Sequence, residues 1–130
     1  MIKQDFLIRM IQQIISAIAE VILYRKPIQR KEWEEYNGIA RQILGFPVEL
    51  LKIMNIKDVL EQYKNDNEQM DKIELAAMLL LKISDETDSD SASKAKFRQD
   101  GTSLLEYVQQ HGHTYSLQRE ILIKILKTIN

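Results

Sequence analysis

The first 24 residues carry apolar side chains at helical spacing, and this segment constrains the fold more than any other. Its apolar positions are separated alternately by four and three residues, with a second row every seven residues: Leu7, Ile11, Ile14, Ile18 and Val21, with Ile8, Ile15 and Ile22. This period is typical of an α-helix with a wide apolar face. The polar residues fall on one narrow strip: Arg9, Gln12, Gln13, Ser16 and Glu20. Such a helix is normally covered by several neighbours or by another chain.

Two interpretations of this helix fit the pattern. It is either the central core helix of a monomer, or its extra apolar face is a surface for self-association. A two-fold interface would place the same patch on both chains. The candidate interaction surface consists of Phe6, Met10, Ile14, Ala17, Ile18 and Val21.

The same segment is a poor match to a membrane span or a signal peptide. Its longest run without a charge is residues 10–19, whereas a span needs about 20 apolar residues. Asp5 and Glu20 stand where a signal peptide would have a cationic start and a cleavage site. We therefore expect a cytoplasmic protein without membrane contact.

Helix-ending and helix-starting residues divide the rest of the chain. Pro27 disfavours helix at the residue before it, and Gly45 suits the left-handed position after a helix end. Asn55 followed by Asp58 is typical of an N-cap with an acid in the first turn. Six further helices are predicted, two of them short, at about residues 29–44, 47–54, 55–64, 68–84, 92–110 and from 116 onward.

Two details of the later helices carry predictions about packing. Gly101 in the middle of a helix costs about 1 kcal/mol relative to alanine, which predicts close approach to a neighbouring helix. Ser116 is a good N-cap for the last helix. The expected inward residues of that helix are Leu117, Ile121, Leu122, Ile125, Leu126 and Ile129. No stretch alternates like a strand, so we predict one all-α domain over residues 1–130, built from antiparallel helical hairpins.

Trp33 and Tyr36 form a candidate groove on the second helix. Aromatic side chains one turn apart either line a binding groove or pack in the core. Their stripe also contains Ile39, Ala40 and Ile43, which favours the core.

Both ends of the chain resemble a family of small bacterial helical proteins known only as a domain of unknown function. The resemblance rests on the opening MIKQDFLIRMIQQIISAIAEVI and the closing LLEYVQQHGHTYSLQREILIKI, in which Tyr115, Ser116, Arg119 and Glu120 open the last helix. The resemblance implies hairpins similar to tetratricopeptide-type repeats, and hence protein or peptide binding. The 34-residue period of such repeats is absent, so an irregular bundle is the alternative.

Residues that would support chemistry are few. The chain has no cysteine, no recognisable catalytic motif, and only two histidines, His111 and His113, which fall short of a zinc site. The acidic run 85–90 lacks the glycine and the glutamate of a calcium loop and is predicted to be a solvated connection. A basic patch at residues 25–31 is followed by glutamates.

We therefore expect a non-enzymatic protein-interaction or self-assembly module without a cofactor. Its candidate contacts are a protein or peptide partner, or a second copy through the first helix. A net charge of −1 argues against nucleic acid. The alternative is a regulator that binds an effector or other small molecule in a pocket between helices.

Overall fold

The structure is a computed structural model that describes residues 4–89 and 91–128 of the 130-residue chain. Within those ranges the chain forms six α-helices and one short 3-10 helix and contains no strand, so the predicted all-α fold is confirmed. The elements are α1 (Gln4–Tyr24), α2 (Arg30–Leu44), the 3-10 helix (Val48–Lys52), α3 (Ile56–Gln62), α4 (Gln69–Glu86), α5 (Ala92–His111) and α6 (Leu117–Thr128). Asp90 of the acidic connection and Ile129 lie outside the described residues.

The helix boundaries follow from capping chemistry. Gly45 ends α2 in the left-handed conformation, at φ 89°. Asn55 and Asp58 form a reciprocal capping box at the start of α3, with N···O distances of 2.9 and 3.0 Å. Before α4, the carboxylate of Asp66 accepts the backbone N–H of Glu68 at 2.8 Å.

The central helix of the bundle is α4, and not α1. Every residue of its stretch 75–82 is buried, and it packs against α1, α2, α3, α5 and the 3-10 helix. A helix enclosed on all sides has no need of a polar face, which explains the continuous apolar run Leu75–Leu81. The interpretation of α1 as the central core helix is therefore wrong.

The first helix forms an outer layer on α4. Five of its residues are buried: Ile11, Ile14, Ile15, Ile18 and Ala19. Its predicted polar strip points away from the core, with Arg9, Gln12, Gln13 and Ser16 exposed and Glu20 partly so. The wide apolar face is needed because α2, α4 and α6 all contact this helix.

The close approach predicted at Gly101 is present between α4 and α5. A Cβ atom at Gly101 would lie 2.9 Å from the Cγ of Leu81 and 3.0 Å from the carbonyl oxygen of Ala77. Both distances are shorter than ordinary van der Waals contacts. Glycine therefore allows these two helices to pack as the most extensive pair in the bundle.

The last helix lies at the edge of the bundle. It contacts α5, to which it is joined by a short turn, and it contacts α1 less extensively. The ends of α1 and α4 lie together, where Arg25 and Asp85 form an ion pair at 3.0 Å. The position of α6 at an edge determines which of its faces stays open.

Candidate interaction surfaces

The predicted surface on α1 is largely closed within the chain. Ile14 and Ile18 are fully buried in the core and so are inaccessible to a partner. Met10, Ala17 and Val21 are partly buried. Phe6, at 52% exposure, is the most open member of the set, and binding of a partner there stays a prediction.

Ala17 and Tyr36, which belong to the two predicted sites, line one open cleft between α1 and α2. The rest of its lining is polar or charged: Arg9, Gln12, Gln13, Ser16, Glu20 and Glu32. Burial raises the pKa of the Tyr36 hydroxyl, and the nearby carboxylate of Glu32 raises it further. Six of the eight residues that line this cleft are therefore polar or charged, apart from Ala17 and Tyr36.

Trp33 does not line that cleft. It packs partly buried against the core, and the Nζ of Lys82 lies 3.8 Å from its ring centroid. Lys82 also donates to the carboxylate of Glu86 at 2.9 Å. The cation–π contact joins α2 to α4, so Trp33 serves the packing of the bundle.

The largest set of open apolar side chains on one helix lies on α6. Leu117, Ile121 and Ile125 are 59%, 40% and 41% exposed. Their spacing of four residues places them in one row, here called the α6 stripe. Their predicted inward orientation is wrong, whereas Leu122 and Leu126 are buried as predicted. A helix at an edge has one covered face, and α6 carries apolar residues on more than one.

The charges of α6 are ordered along its length. Glu120 lies in its first turn, and Lys124 and Lys127 lie in its second half. The carboxylate of Glu120 and the Nζ of Lys124 are 3.6 Å apart. The hydroxyl of Tyr115 donates to Glu120, and this hydrogen bond lowers the pKa of that carboxyl. Apart from the buried Arg119, the charged side chains of α6 thus change from acidic near its start to basic near its end.

A buried arginine fixes α6 to the rest of the bundle. Arg119 is 5% exposed, and its guanidinium donates to Gln109 Oε1 at 2.6 Å, Glu74 Oε2 at 3.0 Å and the carbonyl oxygen of Thr114 at 2.6 Å. Burial raises the pKa of Glu74, and the hydrogen bond from Arg119 opposes that shift. These contacts hold the loop before α6 against α4 and α5.

The residues that carry the family resemblance at this end have structural roles. The side-chain oxygen of Ser116 accepts the backbone N–H of Arg119 at 3.1 Å, which is the predicted N-cap contact. Tyr115 binds Glu120, and Arg119 forms the buried network. The motif therefore fixes the start of α6.

The two histidines lie at the end of α5 and in the turn that follows it. The Nδ1 of His111 is 3.0 Å from the carbonyl oxygen of Tyr107, and the two rings are stacked. His111 and His113 border a cleft that Asp66, Asp71 and Glu74 also line. Within residues 4–89 and 91–128, no group of three or more histidine or carboxylate side chains is arranged to hold a metal ion.

The predicted basic patch is divided among ion pairs. Arg25 binds Asp85 at 3.0 Å, and Lys26 lies 3.3 Å from the carboxylate of Glu20. Arg30 pairs with Glu34 along α2 at 3.5 Å. Arg25 also borders a cavity between α1, α4, α5 and α6, together with Lys94 and Arg98.

In the described part of the chain, α1 is the one helix whose length and composition would suit a membrane span. The mean hydropathy of its most apolar window is 1.7, and 28% of that window is buried. An apolar helix packed on a protein core has the same length and composition, and five residues of α1 are buried in the core of this chain.

Comparison with known proteins gives no match to this chain among protein-family models, curated proteins or solved structures. The surfaces described above are therefore the basis for a functional proposal.

Proposed function

We propose that this chain is a non-enzymatic interaction module that assembles with a second copy of itself through α6. The observation that carries the proposal is the open α6 stripe of Leu117, Ile121 and Ile125. Removing apolar surface from water contributes about 25 cal/mol for each Å² buried. Covering a row of three large apolar side chains with a second protein surface would therefore lower the free energy.

The order of charges along α6 favours a second copy of the chain that binds the α6 stripe with its own α6 running in the opposite direction. With Ile121 at the two-fold axis, Leu117 of one copy faces Ile125 of the other. Lys124 of each copy then lies beside Glu120 of the other, next to the existing contact between these residues along each helix. A parallel arrangement would instead place like charges opposite each other and align the two helix dipoles unfavourably.

The size of the surface predicts weak and reversible assembly. A helix of 12 residues is about 18 Å long at 1.5 Å per residue. A contact between two such helices belongs to the small end of specific interfaces, which is typical of transient complexes. We therefore expect a monomer–dimer equilibrium that depends on concentration.

The proposal also includes the expected type of helical hairpin, the cellular location and the absence of a cofactor. The family resemblance implies hairpins of the tetratricopeptide type, and the contacts of α5 with both α4 and α6 support that proposal. We propose that the module acts in the cytoplasm without a cofactor, and that nucleic acid and membrane are not its targets.

Sedimentation equilibrium tests the proposal with two matched variants. Ile121→Glu places two carboxylates against each other at the two-fold axis, so it should abolish dimer formation. Ile53→Glu is the control, because Ile53 is 80% exposed and lies just after the 3-10 helix, away from α6. Both variants remove one exposed isoleucine and add one negative charge.

The expected result is a dimer in the wild type and in Ile53→Glu, and a monomer in Ile121→Glu. A wild-type chain that stays monomeric at several hundred micromolar would contradict the proposal. Equal dimer formation by all three proteins would also contradict it, because assembly would then use another surface.

A further inference from the structure

A cavity of about 250 Å³ lies where α1, α4, α5 and α6 meet, at the end of the bundle that contains the C-termini of α1 and α4. One side of the cavity is apolar and one side is cationic. Its lining consists of Ile22, Arg25, Leu81, Ser84, Asp85, Lys94, Arg98, Ile125 and Leu126.

Two of the three cations that line this cavity already have partners. The Nζ of Lys94 donates to the carbonyl oxygens of Ser84 at 2.7 Å and Thr87 at 3.3 Å, which satisfies the C-terminal end of α4. Arg25 is paired with Asp85. Neither residue therefore requires a ligand to complete its hydrogen bonding.

Arg98 differs from these two residues. Its Nε is buried, and this N–H has no acceptor among the described residues. Leaving a buried donor unpaired costs about 1–3 kcal/mol, and more for a charged group, and the side chain that carries this donor borders the cavity. Three cations against the single carboxylate of Asp85 also leave the lining with a net positive charge.

The apolar part of the lining restricts what the occupant can be. Ile22, Leu81 and Leu126 come from three different helices and offer no hydrogen-bonding side chain. A bare inorganic anion would lose hydration against these residues without compensation. A small carboxylate with a short apolar tail would bind Arg98 by charge-assisted hydrogen bonds and cover the apolar wall. The cavity lies just below the usual size range of ligand pockets, which favours a small ligand.

We propose that this cavity is a binding site for a short-chain carboxylate, with Arg98 as the residue that binds its carboxylate group. The site makes the chain a candidate effector-binding protein, in line with the alternative function expected from the sequence. Ile125 lines this cavity and also belongs to the α6 stripe, so the two proposals share one apolar residue. The inference itself rests on Arg98 and is tested by ligand binding, whereas assembly is tested by sedimentation, so each proposal can fail without the other.

Calorimetric titration tests the site with three probes: hexanoate, hexanol and inorganic phosphate. Wild-type protein should bind hexanoate saturably, and binding of hexanol and of phosphate should be at least tenfold weaker. Arg98→Gln should weaken hexanoate binding by about tenfold or more, which corresponds to the loss of one charge-assisted hydrogen bond. Arg41→Gln is the control, because Arg41 is an exposed arginine on α2 that does not line the cavity.

Nuclear magnetic resonance on the wild type gives a second test that needs no variant to fold. Hexanoate should shift the side-chain Nε–H signal of Arg98 with the same affinity as the calorimetric titration gives. The proposal is overturned if hexanoate does not bind, if this signal stays unchanged on binding, or if Arg98→Gln folds and binds equally well. Equal binding of hexanol or phosphate would also overturn it.

Discussion

The guanidinium of Arg119 lies 3.0 Å from the carboxylate of Glu74, and this pair joins α6 to α4 across 45 residues of sequence. Both side chains are largely buried, at 5% and 15% exposure. The arrangement holds α6 at the edge of the bundle in the orientation that leaves its stripe open.

Removing the carboxylate of this pair should destabilise the fold strongly. Glu74→Ala leaves a buried guanidinium without its counter-charge, which costs about 3–5 kcal/mol. Glu74→Gln should cost less, because the amide oxygen still accepts a hydrogen bond. Urea unfolding measures both, with Glu35→Ala at an exposed site on α2 as control. A loss below about 1 kcal/mol for Glu74→Ala would contradict this role.

Two glycine substitutions should have opposite effects on stability. Gly101→Ala introduces a Cβ 2.9 Å from Leu81, and the overpacking costs about 1–3 kcal/mol, which outweighs the gain in helix propensity. Gly38→Ala, in the middle of α2, meets no atom within 4 Å and should stabilise by up to about 1 kcal/mol. Thermal unfolding measures whether each variant is more or less stable than the wild type. A change in the same direction for both variants would contradict the close approach at Gly101.

The contribution of Asp66 to stability should depend on pH. Burial alone would raise the pKa of Asp66, but hydrogen bonds from Lys72 and from the backbone N–H of Glu68 outweigh it and hold the pKa below its ordinary 3.8. Because the pKa of Asp66 is lower in the folded than in the unfolded chain, its carboxylate stabilises the fold at pH values above the unfolded pKa. This contribution is lost as the pH falls through the folded pKa.

Asp66→Asn should accordingly destabilise by about 1 kcal/mol at pH 7 and by progressively less below pH 3.8. Urea unfolding of wild type and variant at a series of pH values gives the difference directly. A difference that stays constant from pH 7 to pH 3 would mean that Asp66 does not act through its charge.

Local chemistry explains why most of the fold was predictable from the sequence. Gly45 and the Asn55–Asp58 pair mark helix ends through contacts within a few residues, so the sequence alone reveals them. The approach at Gly101 was predictable because a mid-helix glycine needs compensation. The identity of the central helix was not predictable, because α1 and α4 are both apolar over most of their surface.

The α6 stripe was missed for a related reason. Its residues Leu117, Ile121 and Ile125 are as apolar as the buried Leu122 and Leu126. The number of helices that pack around α6 cannot be read from its own sequence. Only the place of α6 at an edge separates the two sets. The buried role of Arg119 was equally hidden, since its partner Glu74 lies on a different helix.

The charge order of α6 predicts the effect of a charge exchange on assembly. Lys124→Glu alone places acidic residues of the two copies beside each other and should weaken the dimer. The double variant Glu120→Lys with Lys124→Glu restores opposite charges between the copies, so it should recover affinity. Sedimentation equilibrium at low salt measures both, because screening weakens exposed pairs. Failure of the double variant to recover would contradict the antiparallel arrangement.

Disulfide trapping tests assembly through α6 most directly, because the chain has no cysteine of its own. A disulfide forms only where two Cα atoms approach within about 7 Å. Under mild oxidation, Ile121→Cys should form a covalent dimer. A mixture of Leu117→Cys and Ile125→Cys should form the mixed dimer, and neither variant should form a dimer alone. Absence of the Ile121→Cys dimer, or a dimer of Leu117→Cys with itself, would contradict antiparallel assembly through α6.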